Sequence, residues 1–296
     1  MKGIKSFGGS MTAIVTPFCN GKFDGEVYKK LINWQIEERT TGLVFLGTTG
    51  ESPTVSFAEH SKIIEFAVRA VDGRVPVIAG TGANSTEEAI MLTQQAESVG
   101  ADACLSVVPY YNKPSQQGLY LHFRMIAEKS SNFPIILYDV PGRTGVGLDP
   151  ATVVRLAEIP NVIGIKSASG DMRKASDFLR MCPKNFLVFS GDDFTSFALM
   201  MLGGAGGISV TSNIVPDKVA EFWREGLAGN WERARKIHFE LELLNQALFL
   251  ESNPIMVKAA LAMMKKIALE YRLPMCEPSG GNHNKLEEIL VAMGLI

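Results

Sequence analysis

The feature that most constrains this chain is a repeated change of period, from short β-branched runs to amphipathic stretches and back, sustained to about residue 228. A β-then-α order kept this long has two solutions, a closed (β/α)8 barrel or an open doubly wound sheet. The eight runs predict strands at 11–16, 42–46, 75–79, 103–107, 135–138, 162–166, 186–190 and 207–210. Between and after them the 3.6-residue pattern predicts helices at 24–38, 57–71, 85–99, 116–130, 150–158, 172–181, 194–202 and 216–228. None of the runs reads as an edge strand, which an open sheet would need, so the barrel is the expected fold. A chain of 296 residues suits one such barrel with an extension. Beyond residue 228 the pattern is wholly helical, at 231–249, 254–269 and 284–293. The expected organisation is a TIM barrel over 1–228 carrying the chemistry and a C-terminal helical appendix over 229–296 packed on it. Two helix starts carry local signals: Ser85-Thr86-Glu87-Glu88 has the form of a capping box, and Asp149 precedes a proline at the first helical position.

Charge and cysteine usage narrow the function. Lys plus Arg number 29 against 31 Asp plus Glu, a formal net charge of -2, so there is no basic footprint for nucleic acid or an anionic membrane. No apolar stretch approaches a membrane span and the N-terminus lacks a signal-peptide core, which reads as a soluble, cytoplasmic chain. Cys19, Cys104, Cys182 and Cys276 show no CxxC spacing and read as reduced and mostly packed. His60, His122, His238 and His283 are equally dispersed, so neither a metal nor another cofactor is expected. The partner is expected to be a small molecule.

In (β/α)8 barrels the chemistry sits in loops after the strands' C-terminal ends. The run from Val162 to Ile165 ends there on Lys166 and breaks into small residues. Burial disfavours the charged form of an amine, so a lysine delivered to such a place is either a nucleophile or a strand-end charge with a partner. The same rim is expected to hold Gly47-Thr48-Thr49-Gly50-Glu51, whose hydroxyls and backbone N–H groups suit a small carboxylate or, equally, cap the next helix. Tyr110, Tyr111 and Tyr138 bring phenols that can relay protons or simply pack. Arg143, between glycines 142 and 145, offers a fork for a carboxylate or a surface ion pair. Gly80-Thr81-Gly82 only superficially matches a dinucleotide fingerprint, because a serine stands at the third glycine position. The glycine run at 203–207 precedes strand eight and falls on the opposite rim. An amine nucleophile, phenols and carboxylate-holding groups together suit imine-forming, class I aldolase chemistry.

The segments Gly47-Thr48-Thr49-Gly50-Glu51, Pro109-Tyr110-Tyr111-Asn112, Tyr138-Asp139-Val140-Pro141-Gly142-Arg143-Thr144, Gly164-Ile165-Lys166 and Ser190-Gly191-Asp192-Asp193 occur in an order and spacing that resembles the dihydrodipicolinate synthase (4-hydroxy-tetrahydrodipicolinate synthase) family over essentially the whole chain. The resemblance implies that Lys166 forms a Schiff base with pyruvate, and that the derived enamine attacks aspartate semialdehyde before cyclisation, a step of lysine and diaminopimelate biosynthesis. It implies Tyr138 as general acid/base, linked through Thr48 to Tyr111, with Tyr111 supplied by the neighbouring subunit of a tight dimer and two dimers forming a tetramer. Thr48 and Thr49 would hold the pyruvate carboxylate, Arg143 that of the semialdehyde, and Ile208 would line the pyruvate pocket. Pro53, His60, Asn84, Glu88 and Tyr110 match an allosteric site at which lysine-inhibited members bind the amino acid, with Glu88 opposite its amine.

Three positions depart from the family's usual pattern: Phe57, where some inhibited members carry histidine; Asp139, where asparagine is commoner; and Ser167, where glutamate is usual. Two other activities fit part of the pattern. N-acetylneuraminate lyase or a keto-sugar-acid aldolase would share the lysine and the strand-five tyrosine, but not Arg143 with the tyrosine pair. A non-catalytic barrel sensing a keto acid or amino acid would not need the full set of lysine, tyrosine, threonine and arginine.

Overall fold

A computed structural model describes residues 7–296. Eight parallel strands close into a barrel: β1 Gly9–Ala13, β2 Gly42–Phe45, β3 Val77–Gly80, β4 Ala103–Val107, β5 Ile135–Asp139, β6 Val162–Ser167, β7 Leu187–Ser190 and β8 Gly206–Ser209. Each pairs with its sequence neighbour, and β1 closes the ring on β8 through Gly9 opposite Gly206 and Met11 opposite Ile208. Helices α1 Gly25–Glu37, α2 Phe57–Val71, α3 Thr86–Ser98, α4 Gln116–Lys129, α5 Pro150–Ala157, α6 Met172–Met181, α7 Ser196–Met201 and α8 Pro216–Leu227 follow the strands in turn. Three more, α9 Trp231–Leu248, α10 Ile255–Met263 and α11 Gly280–Ala292, form the appendix. No helix among the described residues is long and apolar enough to cross a membrane.

The alternation of side chains along each strand makes two cores. Met11, Val44, Ile78, Leu105, Ile136, Tyr138, Phe189 and Ile208 fill the barrel interior. A larger set, including Phe45, Ile64, Phe123, Leu156, Phe178 and Trp223, packs between sheet and helices. Burying each such aliphatic or aromatic side chain contributes roughly 1.5–3 kcal/mol. The glycine run that leads into β8 serves this packing: an added Cβ at Gly207, the strand's second residue, would stand 2.7 Å from the Trp223 ring.

The structure corrects several boundaries for local reasons. Strand one stops at Ala13 because Ile14 N–H still reaches Val44 O, at 3.1 Å, whereas Val15 N–H is taken by Asn213 Oδ1. Strand three starts at Val77 because Pro76 has no N–H to give to a ladder. The helix expected at 254–269 ends at Met263, with Lys265 in the left-handed region (φ 58°) just beyond it. The last helix begins at Gly280 and not at 284: its buried Leu286 and Leu290 dock against the appendix, and that packing outweighs the poor propensity of two glycines. Ser85 Oγ does accept Glu88 N–H (3.4 Å), but Asp149 makes no side-chain capping bond. Of the four cysteines, all free, Cys104 is buried and Cys182 half-buried, while Cys19 and Cys276 are exposed, contrary to the packed expectation. A two-stranded hairpin, Phe18–Cys19 with Lys22–Phe23, was not expected. Its turn residues Asn20 and Gly21 both have positive φ (53° and 74°), and an Asn-Gly pair between two such strands is itself a hairpin signal.

Candidate active site

Lys166 lies near the C-terminal end of β6, 5% exposed, directly opposite Tyr138 in the β5–β6 register. Its Nζ stands 4.4 Å from the centroid of the Tyr138 ring. Space for its aliphatic stem exists because residue 191, just after β7, is glycine: an added Cβ there would come within 2.7 Å of Lys166 Cε and 2.8 Å of Ala168 Cβ. Tyr138 lines the floor of a cavity of about 600 Å³, together with Thr48, Arg143 and Asn253. Ile208 is fully buried in the same interior cluster as Tyr138. Phenol, hydroxyl and guanidinium thus meet at the cavity from β5 and the loops after β2 and β5, while Lys166, Thr49 and Ile208 do not line it and the Lys166 amine adjoins it through the Tyr138 ring.

Asn253, just before α10, joins the two ends of this constellation, and sequence reasoning missed it. Its Nδ2 donates to Thr49 Oγ1 at 2.9 Å and its carbonyl accepts from Arg143 Nη2 at 3.0 Å. A second contribution from the appendix lies underneath. Glu51, in the left-handed region at φ 56°, accepts from Lys258 Nζ at 2.5 Å and from Arg272 N–H at 3.2 Å. Lys258 is fully buried and Glu51 3% exposed. Burial is the leading influence on the Lys258 amine and holds it below the ordinary lysine range, opposed by the Glu51 carboxylate. Arg272 in turn grips Glu59 of α2 through both nitrogens, at 2.6 and 2.8 Å, and covers the Phe18 ring at 4.0 Å. Lysine is almost never fully buried unless paired, so Lys258 inside the apolar run 255–262 is the sequence signal that could have pointed to this pair.

Of the second-site residues, Pro53, Glu88 and Tyr110 line the same cavity, as does Phe57, which is 46% exposed. Asn84 braces this wall, donating to Tyr110 O at 3.2 Å. Burial, and then the Glu88 carboxylate, push the Tyr110 phenol above its ordinary value. His60 lies deeper, its Nε2 2.8 Å from Gly80 O, with burial lowering its pKa against that carbonyl. Tyr111 is not brought to Lys166 within the chain. It is 90% exposed, with its backbone in the left-handed region at φ 74°. Among the described residues no group of three or more His, Cys, Asp or Glu side chains could hold a metal ion.

Comparison with known proteins agrees along the whole chain. The model of the dihydrodipicolinate synthetase family matches residues 6–293. A 4-hydroxy-tetrahydrodipicolinate synthase of Thermodesulfovibrio yellowstonii is 56% identical over 290 residues, 98% of this chain and 99% of that protein. Among solved structures, a chloride-inhibited dihydrodipicolinate synthase from Acinetobacter baumannii complexed with pyruvate is 46% identical with a TM-score of 0.96, covering 98% of this chain and 100% of that one. The enzyme from Cyanidioschyzon merolae with lysine bound is 38% identical with a TM-score of 0.95, covering 98% and 99%.

Proposed function

The chain belongs to the dihydrodipicolinate synthetase family, and from that membership we propose that it condenses pyruvate with L-aspartate 4-semialdehyde to 4-hydroxy-tetrahydrodipicolinate in lysine and diaminopimelate biosynthesis, acting in the cytoplasm. The observation that carries the assignment is the buried Lys166 amine against the ring of Tyr138, which itself lines a cavity together with Thr48 and Arg143. The Lys166 amine adds to the pyruvate ketone, and loss of water leaves an imine. Removal of a methyl proton gives the enamine, whose carbon attacks the aldehyde. The semialdehyde's own amine then displaces Lys166 as the ring closes. Tyr138 moves the protons, Thr48 and Thr49 hold the pyruvate carboxylate, Ile208 lines its methyl side, and Arg143 holds the second carboxylate. The barrel through residue 228 carries this chemistry, and the helices from 229 onward support it through Asn253 and Lys258.

Incubation with pyruvate and borohydride, followed by peptide mapping, is expected to place a reduced adduct on Lys166. Turnover is expected with aspartate semialdehyde and not with N-acetylneuraminate. The opposite preference would reassign the chain to the lyase branch of the same chemistry.

The exposure of Tyr111 supports a dimer that exchanges this side chain; a pairing of two dimers into a tetramer rests on the family resemblance alone. A non-glycine residue in the left-handed region costs of order 1–3 kcal/mol and persists where something uses it. A phenol acting as a proton relay contributes about 10²–10⁴-fold. Tyr111→Phe is therefore expected to lose at least about 100-fold in turnover while still trapping pyruvate. Mixing that variant with Lys166→Arg subunits should restore activity, because one site of each mixed dimer combines an intact Lys166 with its partner's intact Tyr111. Mixtures no more active than their parents would place Tyr111 in its own chain's site or outside catalysis.

Glu88, Tyr110, Asn84, Pro53 and His60 support a feedback site for lysine. Lysine is expected to raise the melting temperature by mass action, since it would bind only the folded chain. Glu88→Ala should erase that shift, and an undiminished shift in this variant would refute the site.

A further inference from the structure

The residue after the proposed general acid, Asp139, faces away from the cavity and is completely buried. Its two oxygens tie two pieces of chain together. Oδ1 accepts Leu148 N–H at 2.9 Å, closing the loop that leaves β5, carries Arg143 and returns toward α5. Oδ2 accepts Lys174 Nζ at 2.6 Å, reaching from the first turn of α6. The Asp139 carbonyl also accepts Ala168 N–H at 2.9 Å, immediately beyond Lys166 and Ser167. The junction is packed to contact: an added Cβ at Gly147 would fall 2.9 Å from Asp139 Oδ1 and 3.0 Å from Lys174 Nζ.

Nothing in α6 itself calls for Lys174. A cation in a helix's first turn opposes the positive end of the helix dipole, so this amine is placed at some local cost. What it gains is a buried carboxylate, with only 16% of the lysine side chain exposed. In the β5–β6 register Asp139 lies opposite Ser167, a side chain short enough to leave the carboxylate to Lys174. The loop so tethered is held on its other side by Gln116, which donates to Gly147 O at 2.7 Å and accepts Asp149 N–H at 3.0 Å. Inside it, the short helical turn Pro141–Thr144 presents Arg143 to the cavity.

We propose that the Asp139–Lys174 pair is a positioning device for Arg143, one that sets recognition of the second substrate's carboxylate and leaves the pyruvate half of the site untouched. The inference rests on the functional assignment above. Its basis is topological: Asp139 closes the loop that carries Arg143, whereas Thr49 is held by Asn253 Nδ2 and the Glu51 turn by Lys258, and the two halves meet at the Asn253 carbonyl, which accepts from Arg143 Nη2.

The test uses Asp139→Asn, which keeps the shape and an acceptor for Leu148, and Lys174→Met as an independent variant should the first fold poorly. In both, the KM for aspartate semialdehyde is expected to rise about 10- to 100-fold, the scale of a misplacement near 1 Å. The KM for pyruvate and the yield of borohydride-trapped adduct should stay at the wild-type level. With an aldehyde lacking the carboxylate, variants and wild type should turn over equally. In the double variant the loss should fall short of the product of the single losses, since both remove one interaction. The inference is overturned if the semialdehyde KM is unchanged in both single variants, or if both substrates suffer equally. The adduct on wild-type Lys166 reads the functional assignment and the split between the two KM values reads this one, so the two can fail separately.

Discussion

Lys166→Arg is expected to abolish pyruvate capture and to lower turnover by at least about 10⁴-fold, the scale seen when a covalent nucleophile is removed from a constellation that is otherwise intact. Arginine preserves the positive charge and much of the stem, but its guanidinium does not deprotonate in proteins and cannot form the imine. The substitution therefore separates charge from nucleophilicity, which alanine would not. The fold should survive, because the Lys166 amine lies over the Tyr138 ring at 4.4 Å and guanidinium stacks on aromatic faces at least as well as ammonium. The space is nevertheless tight, with Gly191 already admitting the stem only for want of a Cβ. Circular dichroism and the melting temperature should thus accompany the assay. An adduct recovered on another lysine, or turnover within tenfold of wild type in a folded variant, would remove Lys166 from the mechanism.

How far the sequence alone reaches can be seen by comparing this lysine with the groups around it. Lys166 was legible because a parallel strand is a short apolar run, and the residue ending it must lie on the active rim once a barrel is inferred. Helices 57–71 and 172–181 were read to the residue, since Ser56 and Asp171 cap them with local hydrogen bonds to Glu59 and Lys174 N–H. Asn253 was not legible: its partners Thr49 and Arg143 lie more than 100 residues away, and no local pattern marks such a bond. The Asp139–Lys174 pair hid for a related reason. Asp139 was visible only as a departure from the family's habit, and the compensating lysine sits 35 positions later on another element. The early end of α10 and the exposure of Cys276 share one cause. The chain beyond Met263 leaves the helix to bring Tyr271 OH to Ile255 O, at 2.7 Å, and Arg272 to Glu51 and Glu59, a tertiary demand that helical periodicity cannot report.

That same segment carries the largest stability effect expected of the protein. Glu51→Gln should leave Lys258 buried without its counter-charge, costing about 3–5 kcal/mol, because removing one partner of a buried pair strands the other. For a chain of this size that corresponds to a fall in melting temperature of roughly 10 °C. The loss should depend on pH in a definite sense. Lys258 already has a folded-state pKa below the ordinary lysine value of 10.5, with burial the principal cause and Glu51 opposing it. A folded state that binds its proton more weakly than the unfolded chain gains stability as pH rises between the two values. Removing Glu51 lowers the folded value further and widens that window. The difference between Glu51→Gln and wild type should accordingly be greatest near neutral pH, where the wild-type pair carries both charges, and shrink as pH climbs and the buried amine gives up its proton. Glu51→Gln combined with Lys258→Met should regain much of the loss, since an apolar side chain of similar length can fill the space between the Phe18 and Tyr271 rings, 4.7 and 5.2 Å from Nζ. Denaturant melts of the three variants across pH supply the measurement. If the single variant stays within about 0.5 kcal/mol of wild type, or if the double variant is no more stable than the single, the pair does not anchor the loop. If the loss is as argued, the KM for pyruvate should rise in the single variant and recover in the double. The left-handed residue 51 fixes the turn that presents Thr48 and Thr49, and this buried amine, supplied by the appendix, holds it in place.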